Sequence, residues 1–566
     1  MSIATAGTAA GTGLTGTGIG QGVAIGRVLR MPEPLPEPTD TPSALTPEDE
    51  GARAASAQRF VAVDLEARAE RAGGAAQEVL EAQAMMAEDP TLVDDLTERL
   101  ATGKTAERAV FEAFTTFRDQ LTDLGGYLAE RAADLDDVSQ RVIAQLGGRA
   151  APGVPEQEEP FILVAHDLAP ADTALLDLTR VLGLVTSDGG PTSHTAILAR
   201  DKAIVAIVGA TGATDLADGT LVIVDAASGT VTVSPTEAEV ETAEARIRAR
   251  ALRAQAPTGP GRLRDGTPIP LLANLGSADG AAQAVALGAE GVGLFRTEFL
   301  FLHSHNAPTI LEQAEQYARL LHAFPGKKVV VRALDAGSDK PLAFLNDAQE
   351  ENPALGLRGL RALRASEDIL REQLTALAEA DAATDADVWV MAPMVATVEE
   401  TTYFVELAHK LGLKTAGVMV EIPSAALLAD RILQHADFAS IGTNDLTQYT
   451  LAADRLLGSV AGYQNPWHPA VLRLIAEVGA AGRDLGKPVG VCGEAAADPL
   501  LAVVLVGLGA TSLSMSSAAL SDVRAELARF SAEEAGQLAA VALAADGAAS
   551  ARAAATALAA TFSHTD

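Results

Sequence analysis

A histidine follows two glycines, a proline and two hydroxyl residues in Gly189-Gly190-Pro191-Thr192-Ser193-His194, and an apolar run, Thr195-Ala196-Ile197-Leu198-Ala199-Arg200, begins directly behind it. That order puts the imidazole near the N-terminus of a predicted helix, where free N–H groups and the helix dipole favour negative charge. The same field disfavours imidazolium, so the ring is expected to stay neutral and nucleophilic near neutral pH. A phosphoryl group carried on His194 would have glycine N–H groups and the Thr192 and Ser193 hydroxyls as neighbours. A histidine serving only in a helix cap gives the same local pattern, so remote residues must decide.

Those residues lie in the second half of the chain, at the ends of short apolar runs. One run ends in Gly-Leu-Phe-Arg296-Thr-Glu298, and the next in Val-Arg332-Ala-Leu-Asp335, with Lys340 shortly after. Later runs end in Val-Glu421-Ile-Pro423, Gly-Thr-Asn444-Asp445 and Val-Cys492-Gly-Glu494. Paired guanidinium groups make a fork-shaped receptor for phosphate and carboxylate oxygens. Arg455 could add a third. Glu421 and Asp445, from different runs, suit a Mg²⁺ that completes its shell with water and substrate oxygens. The expected substrate is a small, multiply anionic phosphorylated acid. Cys492 is either a buried apolar side chain or an acid–base thiol.

The elements that must position these groups follow from periodicity. Eight apolar runs alternate with helical stretches from residue 262 to the end: Ile269–Ala273, Gly291–Leu294, Lys328–Val331, Val388–Met391, Gly417–Val420, Phe438–Ile441, Val489–Val491 and Ser512–Met515. This is the pattern of a (β/α)₈ barrel (TIM barrel), whose chemistry lies at the C-terminal ends of its strands. A doubly wound open sheet would give a similar alternation. In the first half, Gly18–Met31 reads as a strand and 33–146 as an inserted all-α domain, helical from about Pro47 to Leu146. Short β-branched runs return at Phe161–Ala165, Val181–Val185, Ala203–Val208 and Leu221–Asp225, with His194 between two of them. The expected organisation is therefore multidomain α/β. An N-terminal α/β domain, 1–32 and 147–235, carries the inserted helices; a helical linker, 236–261, leads to the barrel domain, 262–566.

Composition agrees and excludes other classes. Aromatic residues are only 4% of the chain, so Ala, Leu and Val must fill the cores, which suits helices and α/β barrels. A single cysteine excludes an internal disulfide and a cysteine-cluster metal site. The first residues lack a basic region leading into an apolar stretch, and no apolar run is long enough to span a bilayer, so a cytoplasmic protein is expected. The formal net charge of −33 speaks against a nucleic-acid partner. It would steer a basic protein partner to the surface, and it serves solubility equally well.

The runs GGPTSHTAILAR, GVGLFRTEFLF, VRALDAGSDKP, EENPALGLRGLR, GVMVEIPSA, IGTNDLTQYTLAADR and VCGEAAADP together resemble enzyme I of the bacterial phosphoenolpyruvate-dependent sugar phosphotransferase system. The likeness extends from about Gly18 to about Leu527. It implies that His194 is the histidine phosphorylated by phosphoenolpyruvate, and that Arg296, Arg332, Arg455 and Asn444 hold the substrate. It implies Glu421 and Asp445 as Mg²⁺ ligands, Cys492 as the proton donor that completes pyruvate, and Asn352 and Arg358 as active-site loop residues. The helical insert is then the docking domain for the histidine phosphocarrier protein HPr, and the barrel forms a homodimer. Pro191 and Gly20-Gln21-Gly22 depart from the usual pattern of that family. Pyruvate phosphate dikinase and phosphoenolpyruvate synthase share the phosphohistidine and barrel domains, but they need an ATP-binding domain for which this chain has no expected room. A nitrogen-related enzyme I paralogue would resemble this chain too, although it normally adds a sensory domain. So would a regulatory relative that keeps the fold without catalysis, but the intact candidate residues speak against one.

Overall fold

The computed structural model describes residues 13–20, 22–32, 35–72, 74–124, 132–149, 153–155, 157, 159–168, 176–177, 179–190, 193, 195–196, 199, 204–255, 259–301, 307–337, 342, 345, 350–454 and 458–562. His194, Arg455 and Lys340 lie outside this set, as do Pro191, Thr192 and Gln21. The chain forms two compact units, Met1–Glu244 and Ala245–Asp566, whose boundary falls within the helix Glu237–Gln255.

The first unit is built on strands β1 (Gly13–Thr15), β2 (Thr17–Ile19), β3 (Val23–Arg30), β4 (Phe161–Ala165), β5 (Val181–Thr186), β6 (Val205–Val208), β7 (Leu221–Asp225) and β8 (Thr230–Val233). They form one mixed sheet in the order β1-β8-β7-β3-β4-β5-β6-β2, in which β3, β4, β5 and β6 run parallel. The single strand expected over Gly18–Met31 is two. Gly20 takes a left-handed φ of 83°, a conformation open to glycine, and the chain there moves from a pairing with β6 to pairings with β4 and β7. One residue, Gly16, separates β1 from β2, which stand at opposite ends of the strand order. A Cβ at Gly16 would lie 2.7 Å from the Val208 carbonyl oxygen, so the chain passes there only as glycine.

Between the parallel neighbours β3 and β4 the chain makes helices Pro47–Ala72, Gly74–Ala87, Pro90–Ala101, Ala106–Leu124 and Ala132–Leu146. Local chemistry sets their ends. Asp89 caps the third through the Thr91 N–H, with Pro90 as its first residue, and Leu92, Leu96 and Leu100 then fall on one buried face. On its polar side Glu112 receives Arg99 at 2.9 Å, Lys104 at 2.5 Å and Arg108 at 2.7 Å.

The second unit is a closed barrel of parallel strands: β9 (Leu271–Leu275), β10 (Val292–Arg296), β11 (Lys328–Arg332), β12 (Asp387–Ala392), β13 (Thr415–Val420), β14 (Ala439–Ile441), β15 (Val489–Val491) and β16 (Ser512–Met515). Every run expected to be a barrel strand is one. Pairing of Leu513 with Leu271 joins the last strand to the first, and that closure rules out an open sheet. The strands are apolar along most of their length because helices cover one face while the barrel interior fills the other. Leu294, Val330, Met391, Met419, Phe438 and Cys492 pack together inside as a separate cluster.

Candidate functional site

The polar residues at the strand ends follow directly from where each apolar run stops. β10 ends on Arg296 and β11 on Arg332. Glu421 follows β13, and Cys492 follows β15. β14 gives way at Gly442 to the helix Thr443–Leu451, whose first turn carries Asn444 and Asp445. All six are at the C-terminal ends of the strands, and Arg358 joins them from a loop between β11 and β12.

Arg358 is the hub of a buried ionic cluster. Its Nε and Nη2 donate to the two Asp335 oxygens at 3.2 and 3.0 Å, and its Nη1 donates to Asp445 Oδ1 at 3.0 Å. Arg332 donates to Glu298 and approaches Asp335 Oδ2 at 3.3 Å. Burial works against the Arg332 charge, but Glu298, Asp335, Glu421 and Asp445 raise its pKa above the ordinary arginine value. Arg296, by contrast, is exposed and makes no ion pair among the described residues.

Glu421 is wholly buried, and its Oε1 accepts the Met394 N–H at 2.7 Å. Met394 adopts φ 55°, a left-handed conformation costly for a side chain with a Cβ, and so aims its N–H at the carboxylate. Burial first, then Asp445 and Asp335, push the Glu421 carboxyl up to about 7. Among the described residues its Oε2 has no hydrogen-bond partner; nor do Glu298 Oε2 and Arg332 Nε. Buried acceptors and donors left open in this way are expensive unless a ligand or cation meets them. Gly442 makes room for the carboxylate, since a Cβ there would lie 2.8 Å from Oε2.

The donor set fits Mg²⁺. Among the described residues no third carboxylate, histidine or thiol joins Glu421 and Asp445 in a metal-holding group. Two carboxylates suit a hard ion that keeps water and takes substrate oxygens. A cation would also relieve the repulsion that holds a proton on Glu421.

Cys492 is buried, with its thiol facing the Ile441 carbonyl at 3.5 Å. Burial pushes the thiol up to about 11, against the effect of a hydrogen bond with Ser440, so it carries its proton at neutral pH. Asn444 is half-buried and accepts the Glu494 N–H on Oδ1 at 3.1 Å, leaving its amide hydrogens facing away from that bond. Asn352 is exposed on its loop and is not brought into the buried cluster.

Other residues complete the site without having stood out in the sequence. Tyr449 accepts from Arg358 at 3.4 Å and donates to the Ala354 carbonyl, tying the Arg358 loop to the Asp445 helix. Asn274, a lone polar residue in β9, donates to the Cys492 carbonyl at 3.0 Å and accepts from Ser514 at 2.7 Å. Its polarity within an apolar run was a usable signal; Tyr449 offered none.

Around His194, whose own placement is outside the described residues, Gly189 takes φ 86° and Ser193 Oγ accepts the Ala196 N–H at 3.3 Å. Thr195 is buried and donates to Asp167 Oδ1 at 2.6 Å.

Three segments match known families: PEP-utilising enzyme, N-terminal, over residues 15–131; PEP-utilising enzyme, mobile domain, over 157–229; and PEP-utilising enzyme, PEP-binding domain, over 250–532. A phosphoenolpyruvate-protein phosphotransferase of Streptomyces coelicolor is 52% identical over 553 residues, which cover 97% of this chain and 99% of that one. Proteins of the same name from Haloferax volcanii and Bacillus subtilis are 41% and 37% identical, over 88% and 92% of this chain and 89% and 95% of theirs. With the closed barrel and the guanidinium–carboxylate cluster at its strand ends, these likenesses establish that the chain belongs to the phosphoenolpyruvate-protein phosphotransferase family of PEP-utilising enzymes.

Proposed function

We propose that this enzyme moves the phosphoryl group of phosphoenolpyruvate onto His194, releases pyruvate, and passes the group to HPr as the first general step of phosphotransferase-system sugar uptake. The observation that carries the reading is the set of open polar atoms at the barrel mouth. Among the described residues, Glu421 Oε2 and Arg332 Nε are buried without hydrogen-bond partners, and the exposed Arg296 makes no ion pair. That is a receptor for a small polyanion and its counter-ion.

In this reading Arg296, Arg332 and Arg455 hold the phosphate and carboxylate of the substrate, and Asn444 donates to the phosphate. Asn352 and Arg358 belong to the loop that borders the site, and Arg358 acts by holding Asp335 and Asp445 in place. Glu421 and Asp445 would hold Mg²⁺, which when bound supplies positive charge to the phosphoryl oxygens. His194 attacks phosphorus in line, its nitrogen–phosphorus bond forming as the bond to the enolate oxygen breaks. The enolate takes the Cys492 Sγ proton at its methylene carbon, and pyruvate leaves. The thiol's raised pKa supports that role, because a donor must still hold its proton when the enolate forms.

The domain roles belong to the same proposal. The 33–146 helices dock HPr, the segment 236–261 lets the α/β domain of 1–32 and 147–235 turn between donor and acceptor, and the 262–566 barrel pairs two protomers. A cytoplasmic setting completes it; among the described residues no helix is long and apolar enough to cross a membrane.

The test is labelling with ³²P-phosphoenolpyruvate and Mg²⁺. Wild type is expected to carry acid-labile, base-stable phosphate that HPr drains, and His194→Ala to carry none. Equal labelling of the variant would overturn the reading.

A further inference from the structure

The barrel strands have a second end, and it too is built from charged groups. Lys328 opens β11, Trp389 lies near the start of β12, and Pro270 and Thr511 immediately precede β9 and β16. With Arg483 and Lys487 they line a cavity of about 460 Å³ at the N-terminal ends of the strands. That volume is in the range of small-molecule sites. Every charged side chain lining it is cationic, in a chain whose net charge is −33.

These cations are poorly compensated. The Lys328 ammonium has no ion pair or hydrogen bond among the described residues; it rests 3.6 Å over the Trp389 ring and 5.9 Å from that of Phe438. Burial pulls it down to about 8, with Asp387 opposing. Lys487 reaches Asp437 only at 4.0 Å, and Asp437 is already held by His409 and the Ala416 N–H, each at 3.0 Å. Arg483 gives one nitrogen to the Leu508 carbonyl at 3.1 Å. The Trp389 Nε1 hydrogen is buried and has no acceptor among the described residues. A half-buried ammonium held over an indole face on the cavity wall lacks an anionic partner among the described residues.

We propose that this cavity binds a small organic carboxylate with an apolar body, whose acid group meets Lys328, Arg483 and Lys487 and whose body lies beside the Trp389 ring. The site is distinct from the one at the barrel mouth. Lys328 and Arg332 begin and end the same strand, so about 13 Å of extended backbone separates them.

The chain's two tryptophans give the experiment an internal control. Trp467 Nε1 donates to Asp498 Oδ2 at 3.1 Å away from the cavity, whereas the Trp389 ring lines it and its Nε1 has no acceptor among the described residues. Full-length protein labelled with ¹⁵N-tryptophan is titrated with 2-naphthoate and, separately, with the neutral 2-naphthalenemethanol; Trp389→Phe assigns the resonances. The Trp389 indole N–H signal is expected to shift saturably while that of Trp467 stays. Naphthoate should bind at least about tenfold tighter than the alcohol, and Lys328→Met should remove that advantage. Lys487→Gln, nearer the rim, should weaken naphthoate severalfold and covers the case in which the Lys328 variant does not fold. Saturating phosphoenolpyruvate with Mg²⁺ should leave the titration unchanged. No saturable Trp389 shift, equal affinity for the alcohol, or competition by phosphoenolpyruvate would each overturn the proposal.

Discussion

Arg358 grips Asp335 with two nitrogens at 3.2 and 3.0 Å, although the pair is 23 residues apart and both side chains are almost wholly buried. A third contact, Nη1 to Asp445 at 3.0 Å, makes this arginine the link between a barrel strand end and a candidate metal ligand. Replacing Arg358 by Met removes the counter-charge that Asp335 and Asp445 share, leaving Asp335 with Arg332 at 3.3 Å, a change that costs about 3–5 kcal/mol. Denaturant unfolding of the variant should show that loss. Arg358→Lys should recover little, since an ammonium cannot span both carboxylates with the same fork.

Burial of the Glu421 carboxyl costs the metal-free fold stability. With its carboxyl raised to about 7, the native state holds a proton between roughly pH 4.5 and 7 that the unfolded chain has released. Native stability from this group therefore falls as pH rises through that window, and the full cost is present above about 7. Glu421→Gln is expected to stabilise the metal-free enzyme by a few kcal/mol (about 1.4 per pKa unit) at pH 8 and by little near pH 5, while abolishing Mg²⁺-dependent phosphorylation. Thermal unfolding at the two pH values, in the presence of a chelator, measures the difference.

Cys492 should behave as a protected, protonated thiol. Its burial and its pKa of about 11 predict alkylation by iodoacetamide at pH 8 far slower than that of an exposed cysteine. Cys492→Ala is expected to slow pyruvate formation by about 10²-fold or more while phosphoenolpyruvate still binds. Pre-steady-state pyruvate release and equilibrium binding separate the two effects. Unchanged turnover would reduce the thiol to a packing role.

In the helical block, burial would raise the Glu112 pKa, but hydrogen bonds from Lys104, Arg108 and Arg99 overcome it and hold the carboxyl down near about 2. Its contribution to stability is complete above the ordinary carboxylate range and is lost as pH falls through about 2. Glu112→Gln should cost about 2 kcal/mol at pH 7, and its deficit against wild type should shrink as unfolding is followed into acid.

The barrel was legible because its strands are short, mostly apolar runs, and in several of them the next polar group marks the C-terminal end. Arg296, Glu421 and Cys492 announce strand ends by that rule alone. What the sequence could not convey is pairing across distance. Nothing near Arg358 says that it will meet Asp335 and Asp445, and nothing near Tyr449 says that its hydroxyl will tie down the loop at Ala354. The split of the first strand at Gly20 was hidden for another reason, because glycine recurs at every second residue from Gly16 to Gly22 and the pattern does not show which of them changes the backbone conformation. The cations at the barrel's other end went unnoticed since Lys328 begins a strand, where a lysine ordinarily reaches solvent.

Gly16 bears on how the first unit behaves outside its own fold. An exposed sheet edge is a template on which another chain can add a strand. Here the two terminal strands are three residues each and are joined to one another through a single glycine. A Cβ at position 16 would crowd the Val208 carbonyl oxygen and push that join open, which would free both short strands for such pairing. Gly16→Val is therefore expected to aggregate on expression where wild type stays in solution, and the soluble fraction measures it.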